Sequence, residues 1–131
     1  MKGYVADIEE RTLGNQNFRH VLYTSKEMQL VLMAIQPGEE IGEEVHEDTS
    51  QFFRFEAGEG EVWIDGVCNK VKADDVAVVP SGARHNVKAT GGEPLRLYTI
   101  YSPPEHIDGT VHRTCAEARA AHEHFDGRTT E

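Results

Sequence analysis

The side chains in this sequence that are best suited to chemistry fall in two short clusters. Glu44, His46 and Gln51 form the first cluster, and His85 provides the second. Glu44 and His46 are two residues apart, so on a strand both would point to the same face. A carboxylate, two imidazoles and an amide are mixed oxygen and nitrogen ligands, which suit iron, manganese, nickel or zinc. We therefore predict that these four side chains hold one divalent transition metal ion.

The role of Gln51 decides what kind of site this is. An amide oxygen is a weaker donor than a carboxylate or an imidazole, so Gln51 is either a fourth ligand or only a hydrogen-bonding neighbour. Without it, Glu44, His46 and His85 form the two-histidine, one-carboxylate set of non-haem iron(II) oxygenases, which leaves positions open for substrate. A further alternative is a site without an ion, in which Glu44 and Gln51 hydrogen-bond to the histidines.

Short strands must position these residues, because most of the chain consists of brief apolar or alternating runs. Turn residues separate the runs at intervals of about 8–12 residues, which is typical of a β-sandwich or barrel. The run at 28–35 is apolar at nearly every position and predicts a strand buried on both faces. The predicted strands are 20–24, 28–35, 43–46, 51–56, 61–65, 76–79, 85–89 and 95–101.

One helix is predicted, near the end of the chain. Thr114 and Glu117 have the spacing of a capping box, with Thr114 as the N-cap residue. The alanine-rich segment that follows favours a helix, and Gly127 is a natural stop. We expect residues 102–113 to cross the outside of the barrel before this helix.

Composition narrows the class of protein. The formal net charge is −10, with 13 Lys and Arg against 23 Asp and Glu. Such a chain repels phosphate backbones, so we expect no nucleic-acid partner. The longest nearly apolar run, residues 30–35, is too short to cross a bilayer, so we expect no membrane partner. We expect a soluble cytoplasmic protein in which Cys68 and Cys115 are free thiols.

The spacing of the two clusters resembles the two motifs of a small single-domain cupin. The first motif is matched by Gly38, Glu44, His46, Gln51 and Gly58, and the second by Asp74, Pro80, Gly82 and His85. Glu44 replaces the first histidine of the cupin motif, and Gln51 replaces its metal-binding glutamate. Asp74 replaces the glycine that opens the second motif, and Ala89 takes the place of its asparagine.

The resemblance implies an all-β double-stranded β-helix, the cupin jelly-roll barrel, with a short C-terminal helix. We expect one domain over residues 1–131, with the core motifs in about 28–101 and a C-terminal extension and helix in 102–127. The resemblance also implies a homodimer.

Several further residues are candidates for contact with a small molecule. Phe53 and Phe55 share a strand face with Gln51, so they are candidate pocket walls, and Arg84 beside His85 is a candidate contact for an anionic substrate. His106, Asp108 and His112 are candidates either for a second ion or for covering the pocket mouth.

The function that we expect is a metal-dependent enzyme acting on a small organic molecule, either dioxygenase-like or an isomerase or lyase. The alternatives are a non-catalytic small-molecule-binding or sensing module and a storage or structural barrel, because a fold does not fix a function.

Overall fold

The computed structural model describes residues 1–131 and consists of ten strands with a short helix near each end. The elements are α1 (Ile8–Gly14), β1 (Arg19–Thr24), β2 (Gln29–Ile35), β3 (Glu44–Val45), β4 (Ser50–Ala57), β5 (Glu59–Ile64), β6 (Val67–Lys72), β7 (Val76–Val79), β8 (Arg84–Ala89), β9 (Leu95–Ser102), β10 (Val111–His112) and α2 (Cys115–Ala121).

Two antiparallel sheets form the body of the protein. The larger sheet has the order β10-β1-β2-β9-β4-β7 and the smaller one β3-β8-β5-β6. Strands that are distant in sequence are neighbours in space, as in the pairing of β4 with β9. The predicted all-β architecture of two sheets with a short C-terminal helix is confirmed.

The apolar core lies between the two sheets, and the alternation of side chains along the strands builds it. On β4, Gln51, Phe53 and Phe55 point inwards and are almost completely buried, as their alternation predicts. The rings of Phe53 and Phe55 stack with their centroids 6.2 Å apart. Burying an aromatic ring of this size contributes about 1.5–3 kcal/mol. Strand β2 is buried along most of its length, which confirms the interpretation of its apolar run.

Two glycines let backbones approach closely near the first motif. Gly58 has φ +88°, and a Cβ atom there would lie 2.5 Å from the carbonyl oxygen of Pro94. A Cβ atom on Gly60 would lie 2.5 Å from the carbonyl oxygen of Lys88 on β8. Any larger residue at either position would push neighbouring backbone away, so both glycines are fixed by packing.

Three elements were not expected from the sequence. Strand β6 pairs with β5 across the Asp65-Gly66 turn, yet its side chains are exposed except at Val71. Strand β10 has only two residues. Helix α1 begins at an Asp7 cap, whose carboxylate accepts a hydrogen bond from the Glu10 N–H, but Thr12 is its only buried residue. Each element lacks the apolar periodicity on which a prediction depends.

Helix α2 begins as predicted but ends earlier. The Thr114 hydroxyl accepts a hydrogen bond from the Glu117 N–H at 3.1 Å, which confirms the cap. The helix ends at Ala121, where His122 takes a left-handed conformation with φ +49°, so the predicted stop at Gly127 is wrong. The segment before the helix does not simply cross the outside, because β10 pairs with β1 and Glu105 and His106 line a cavity.

Two smaller expectations can be compared with the structure. Cys68 is exposed and Cys115 is buried, and both are free thiols as predicted. Neither helix is long and apolar enough to span a membrane.

Candidate metal centre

Glu44, His46 and His85 come together where β3 meets β8. Glu44 and His85 are direct partners in the antiparallel pairing of these strands. His46 lies two residues beyond Glu44 and therefore faces the same side. Each of the three side chains offers one ligand atom, and these atoms all lie within 4.8 Å of one another.

The spacing of these atoms suits a transition metal ion. The distance from Glu44 Oε2 to His46 Nε2 is 3.0 Å. Ligands bound about 2.0–2.2 Å from one ion at a right angle lie about 3 Å apart. The three side chains therefore need only small adjustments to share an ion, and the donor set fits iron, manganese, nickel or zinc.

The histidine nitrogens on the far sides of the rings have acceptors of their own. His85 Nδ1 lies 3.3 Å from the carbonyl oxygen of Ala83, which favours an N–H at Nδ1 and a free Nε2. His46 Nδ1 lies 3.4 Å from Glu105 Oε1. Metal-binding histidines typically make such contacts, which orient the ring and make it a better donor. Glu105 belongs to the C-terminal segment, and no local sequence signal identifies it.

The charges around the site set the protonation of its groups. Burial alone would lower the pKa of His46, but contacts with Glu105 and Glu44 raise it to about 9. Burial alone would raise the pKa of Glu44, yet His46 and the charge of Arg19 bring it below its usual value. Burial lowers the pKa of His85. In the metal-free protein at neutral pH, His46 therefore carries a proton that a metal ion would displace.

Gln51 is held next to the core by a defined hydrogen-bond pattern. The Thr99 hydroxyl donates to the carbonyl oxygen of Phe52 at 2.8 Å, so it can only accept from the Gln51 amide nitrogen, 3.0 Å away. This fixes the orientation of the amide. Its Oε1 atom is buried and has no hydrogen-bond partner. A buried acceptor left in this state costs about 1–3 kcal/mol, and a metal ion is one group that could satisfy it.

Comparison with known proteins agrees with the motifs. The family model described as "Cupin domain" matches residues 31–101. This chain belongs to the cupin family.

Relatives and solved structures extend this finding. The cupin is 44% identical over 126 residues to the uncharacterized protein YrkC of Bacillus subtilis (strain 168), covering 92% of this chain and 68% of that protein. It is 35% identical over 120 residues to an uncharacterized protein of Acanthamoeba polyphaga mimivirus, covering 82% of this chain and 70% of the other. A crystal structure from Bacillus halodurans superposes with a TM-score of 0.90 at 43% identity and covers 92% of this chain and 96% of the other.

A more distant structure has a functional name. The crystal structure of a predicted oxalate decarboxylase from Thermotoga maritima has a TM-score of 0.57 at 27% identity. The match covers 60% of this chain and 68% of that one. The two solved structures superpose on the double-stranded β-helix of this chain.

One departure from the cupin motif has a structural explanation. Asp74 stands where the motif has glycine, and its backbone has φ +77°. Glycine adopts this conformation freely, and aspartate tolerates it better than most residues. The Asp74 carboxylate also accepts a hydrogen bond from Arg54 at 2.9 Å.

A cavity of about 160 Å³ lies beside the candidate metal ligands Glu44 and His46, under the C-terminal segment. The residues that line it are Phe18, Arg19, Ile41, Glu44, His46, Glu105, His106, Ala118, Arg119, His122, Glu123 and His124. Most come from the two ends of the chain rather than from the motifs. The sequence contains no local signal for the role of Arg19 or Glu123.

The predicted pocket residues lie elsewhere. Phe53 and Phe55 belong to the apolar core, and the ring of Phe53 packs edge-on against His85 with centroids 6.4 Å apart. Arg84 is exposed on the outer face of β8, where it donates a hydrogen bond to Glu43 at 2.6 Å. None of the three lines the cavity. Their contact with a substrate stays a prediction.

His106, Asp108 and His112 do not form a second group of metal ligands. His106 lines the cavity, with Nε2 3.2 Å from the Tyr101 hydroxyl and Nδ1 2.5 Å from Glu123 Oε1. Asp108 accepts a hydrogen bond from Thr130. His112 contacts Arg19. Of the two alternatives for these residues, only the covering of the cavity agrees with the position of His106.

Proposed function

We propose that this cupin binds one divalent transition metal ion through Glu44, His46 and His85 and is an enzyme that acts on a small organic molecule. The convergence of the three ligand atoms within 4.8 Å is the observation that carries the proposal. Gln51 is a candidate fourth ligand, supported by its buried and unpartnered oxygen. The metal would be iron, manganese, nickel or zinc.

The residues around the centre have separate tasks in this proposal. A bound ion supplies Lewis acidity, water activation or oxygen binding. Glu44 contributes the negative charge of the ligand set, and Glu105 orients His46. The C-terminal segment forms part of the cavity wall through Glu105, His106 and Glu123.

The reaction is either dioxygenase-like or that of an isomerase or lyase. The two-histidine, one-carboxylate composition supports the first class. The name of the Thermotoga maritima structure, a predicted oxalate decarboxylase, supports a lyase. A non-catalytic binding or sensing module is the second candidate, because a cavity of about 160 Å³ beside the centre would hold a small molecule whether or not it reacts.

We also propose that the cupin is a homodimer. Val76 and Val78 on β7 are 53% and 62% exposed, and β7 is an edge strand of the larger sheet. An edge with exposed apolar side chains favours association with another chain. Action in the cytoplasm without a nucleic-acid or membrane partner stays a prediction.

Metal analysis after reconstitution tests the proposal. The purified protein is loaded separately with iron, manganese, nickel and zinc, desalted and analysed for metal. We expect one equivalent per chain with at least one metal, and a large loss in both His46→Ala and His85→Ala. His20→Ala on β1, outside the site, is the matched control and should keep its metal. Absence of metal from the wild-type protein, or normal content in both site variants, would refute the centre.

Turnover separates the enzyme from the binding module. Metal-loaded protein is assayed for oxygen consumption and for conversion of a panel of small organic acids, sugars and alcohols. Turnover that is lost in His85→Ala supports the enzyme. Ligand binding without turnover by the loaded protein supports the second candidate.

A further inference from the structure

Arg19 is a buried cation in the wall of the cavity beside the metal centre. It lies on β1, is only 6% exposed, and lines the same cavity as Glu44 and His46. Arginine is rarely buried unless it is paired with an acid. The partners of this side chain therefore indicate what it is for.

The guanidinium of Arg19 is only partly satisfied by the protein. Its Nη1 atom donates a hydrogen bond to His112 Nδ1, 3.2 Å away, and register places these two residues opposite each other on β1 and β10. The Nε atom is buried and has no hydrogen-bond partner. Arg19 takes part in none of the ion pairs of the structure. The guanidinium also lies over the Phe18 ring, 5.4 Å from its centroid. A buried guanidinium without a direct ion pair and with an unpartnered N–H is costly, so a bound anion is the simplest partner for its free edge.

The carboxylates of the cavity are already engaged with other groups. Glu44 contacts His46 Nε2, and Glu105 contacts His46 Nδ1. Glu123 accepts hydrogen bonds from the His106 side chain and from the Ile107 N–H. The guanidinium therefore attracts Glu44 and Glu123 across the cavity and lowers the pKa of both, but it forms a direct ion pair with neither.

The geometry of arginine suggests which anion it would bind. The Nε side of a guanidinium presents parallel N–H donors that match the two oxygens of a carboxylate. The cavity of about 160 Å³ is close in size to engineered cavities of about 150 Å³ that bind benzene. A ligand of about six to eight non-hydrogen atoms would fill such a space.

We propose that Arg19 binds a carboxylate of the ligand, so that the substrate class is a small organic acid held between Arg19 and the metal centre. This inference rests on the proposed function. It adds the chemical class of the substrate and a specificity-determining residue that lies outside both cupin motifs.

A double-mutant cycle tests the contact. Malonate and its monoamide, malonamate, are titrated by calorimetry into zinc-loaded wild-type protein and into zinc-loaded Arg19→Gln. We expect malonate to bind the wild-type protein more tightly than malonamate. The ratio of the affinities for malonate and malonamate should fall by about tenfold to a hundredfold in Arg19→Gln, because a charge-assisted hydrogen bond is lost. Arg113→Gln removes an arginine outside the cavity and should leave the discrimination unchanged.

One further variant and three further measurements keep the outcomes distinct. Arg19→Lys keeps the charge but not the paired donors, so it should bind malonate with intermediate affinity. Zinc content and thermal unfolding are measured for every variant, and malonate is also titrated into metal-free wild-type protein. A wild-type protein without zinc refutes the metal centre, while Arg19-dependent binding of malonate would still support this contact. The inference would be overturned if folded Arg19→Gln or folded Arg19→Lys preferred malonate over malonamate as strongly as wild type does. It would also be overturned if malonate bound neither zinc-loaded nor metal-free wild-type protein.

Discussion

Metal binding should be strongly pH-dependent, because His46 holds a proton where the ion would sit. Its pKa of about 9 arises from Glu105 and Glu44 acting against burial. A group with a pKa of 9 is about 1% deprotonated at pH 7 and about 9% at pH 8, whereas a histidine with a pKa of 6.5 is about 76% and about 97% deprotonated. Affinity should therefore rise about tenfold between pH 7 and 8, compared with about 1.3-fold for an ordinary histidine.

Screening by solvent makes the expected rise in metal affinity smaller than about tenfold. The side chains of Glu44 and Glu105 are 34% and 26% exposed, so water and salt screen part of their attraction for His46. A rise of about fivefold to tenfold is therefore the working expectation. His85 adds little over this range, because its pKa is lowered and it is already neutral.

The assay is calorimetric titration of zinc against a chelator of known affinity at pH 7.0, 7.5 and 8.0. Repeating each titration in buffers of different ionisation enthalpy counts the protons released. We expect nearly one proton per zinc at pH 7, and a smaller release in Glu105→Gln because the pKa of His46 falls. Glu43→Gln, which removes an acid paired with Arg84 on the outside, is the control. Zinc binding that releases no proton and changes less than twofold between pH 7 and 8 would refute this reasoning.

Three other results follow from the structure. Gln51→Glu should bind metal about tenfold more tightly if its oxygen is a ligand, because a carboxylate is the stronger donor; unchanged affinity in a metal titration would argue that it is not. Phe53→Ala should lower the free energy of unfolding by about 3–5 kcal/mol in urea, because it empties the core behind His85; a loss below 1 kcal/mol would contradict its burial. In the metal-free protein, the stability that His46 contributes should be fully present below pH 6.5 and lost as the pH rises through about 9, because folding raises the pKa of His46. The free energy of unfolding is measured with denaturant at pH 6 and pH 9.5 for wild type and His46→Gln. A wild-type advantage over His46→Gln that is smaller at pH 6 than at pH 9.5 would contradict this sign.

The sequence predicts the body of the fold because most strands bury one or both faces. The alternation on β4 places Gln51, Phe53 and Phe55 correctly, and the apolar run of β2 identifies a central strand. Strand β6 is stabilised by backbone pairing with β5 and has almost no buried side chains, so it leaves no apolar pattern. Helix α1 has an N-cap but no apolar stripe, and a cap alone is a weak signal.

Some residues of the candidate site can be predicted from the sequence, and others cannot. Glu44, His46 and His85 are predictable because motif spacing and a single strand pairing bring them together. Glu105 and Arg19 come from opposite ends of the chain, and the pairing of β1 with β10 is needed to hold Arg19 against His112. Such contacts depend on the tertiary register of strands, which spacing along the sequence does not contain.

The most direct test of the metal centre is an anomalous difference map recorded at the absorption edge of the bound metal, from crystals of reconstituted protein. We predict one strong peak between Glu44 Oε2, His46 Nε2 and His85 Nε2, about 2.0–2.2 Å from each. The same map shows whether Gln51 Oε1 is a fourth ligand. Absence of a peak at this position in protein that carries one equivalent of metal would contradict the proposal.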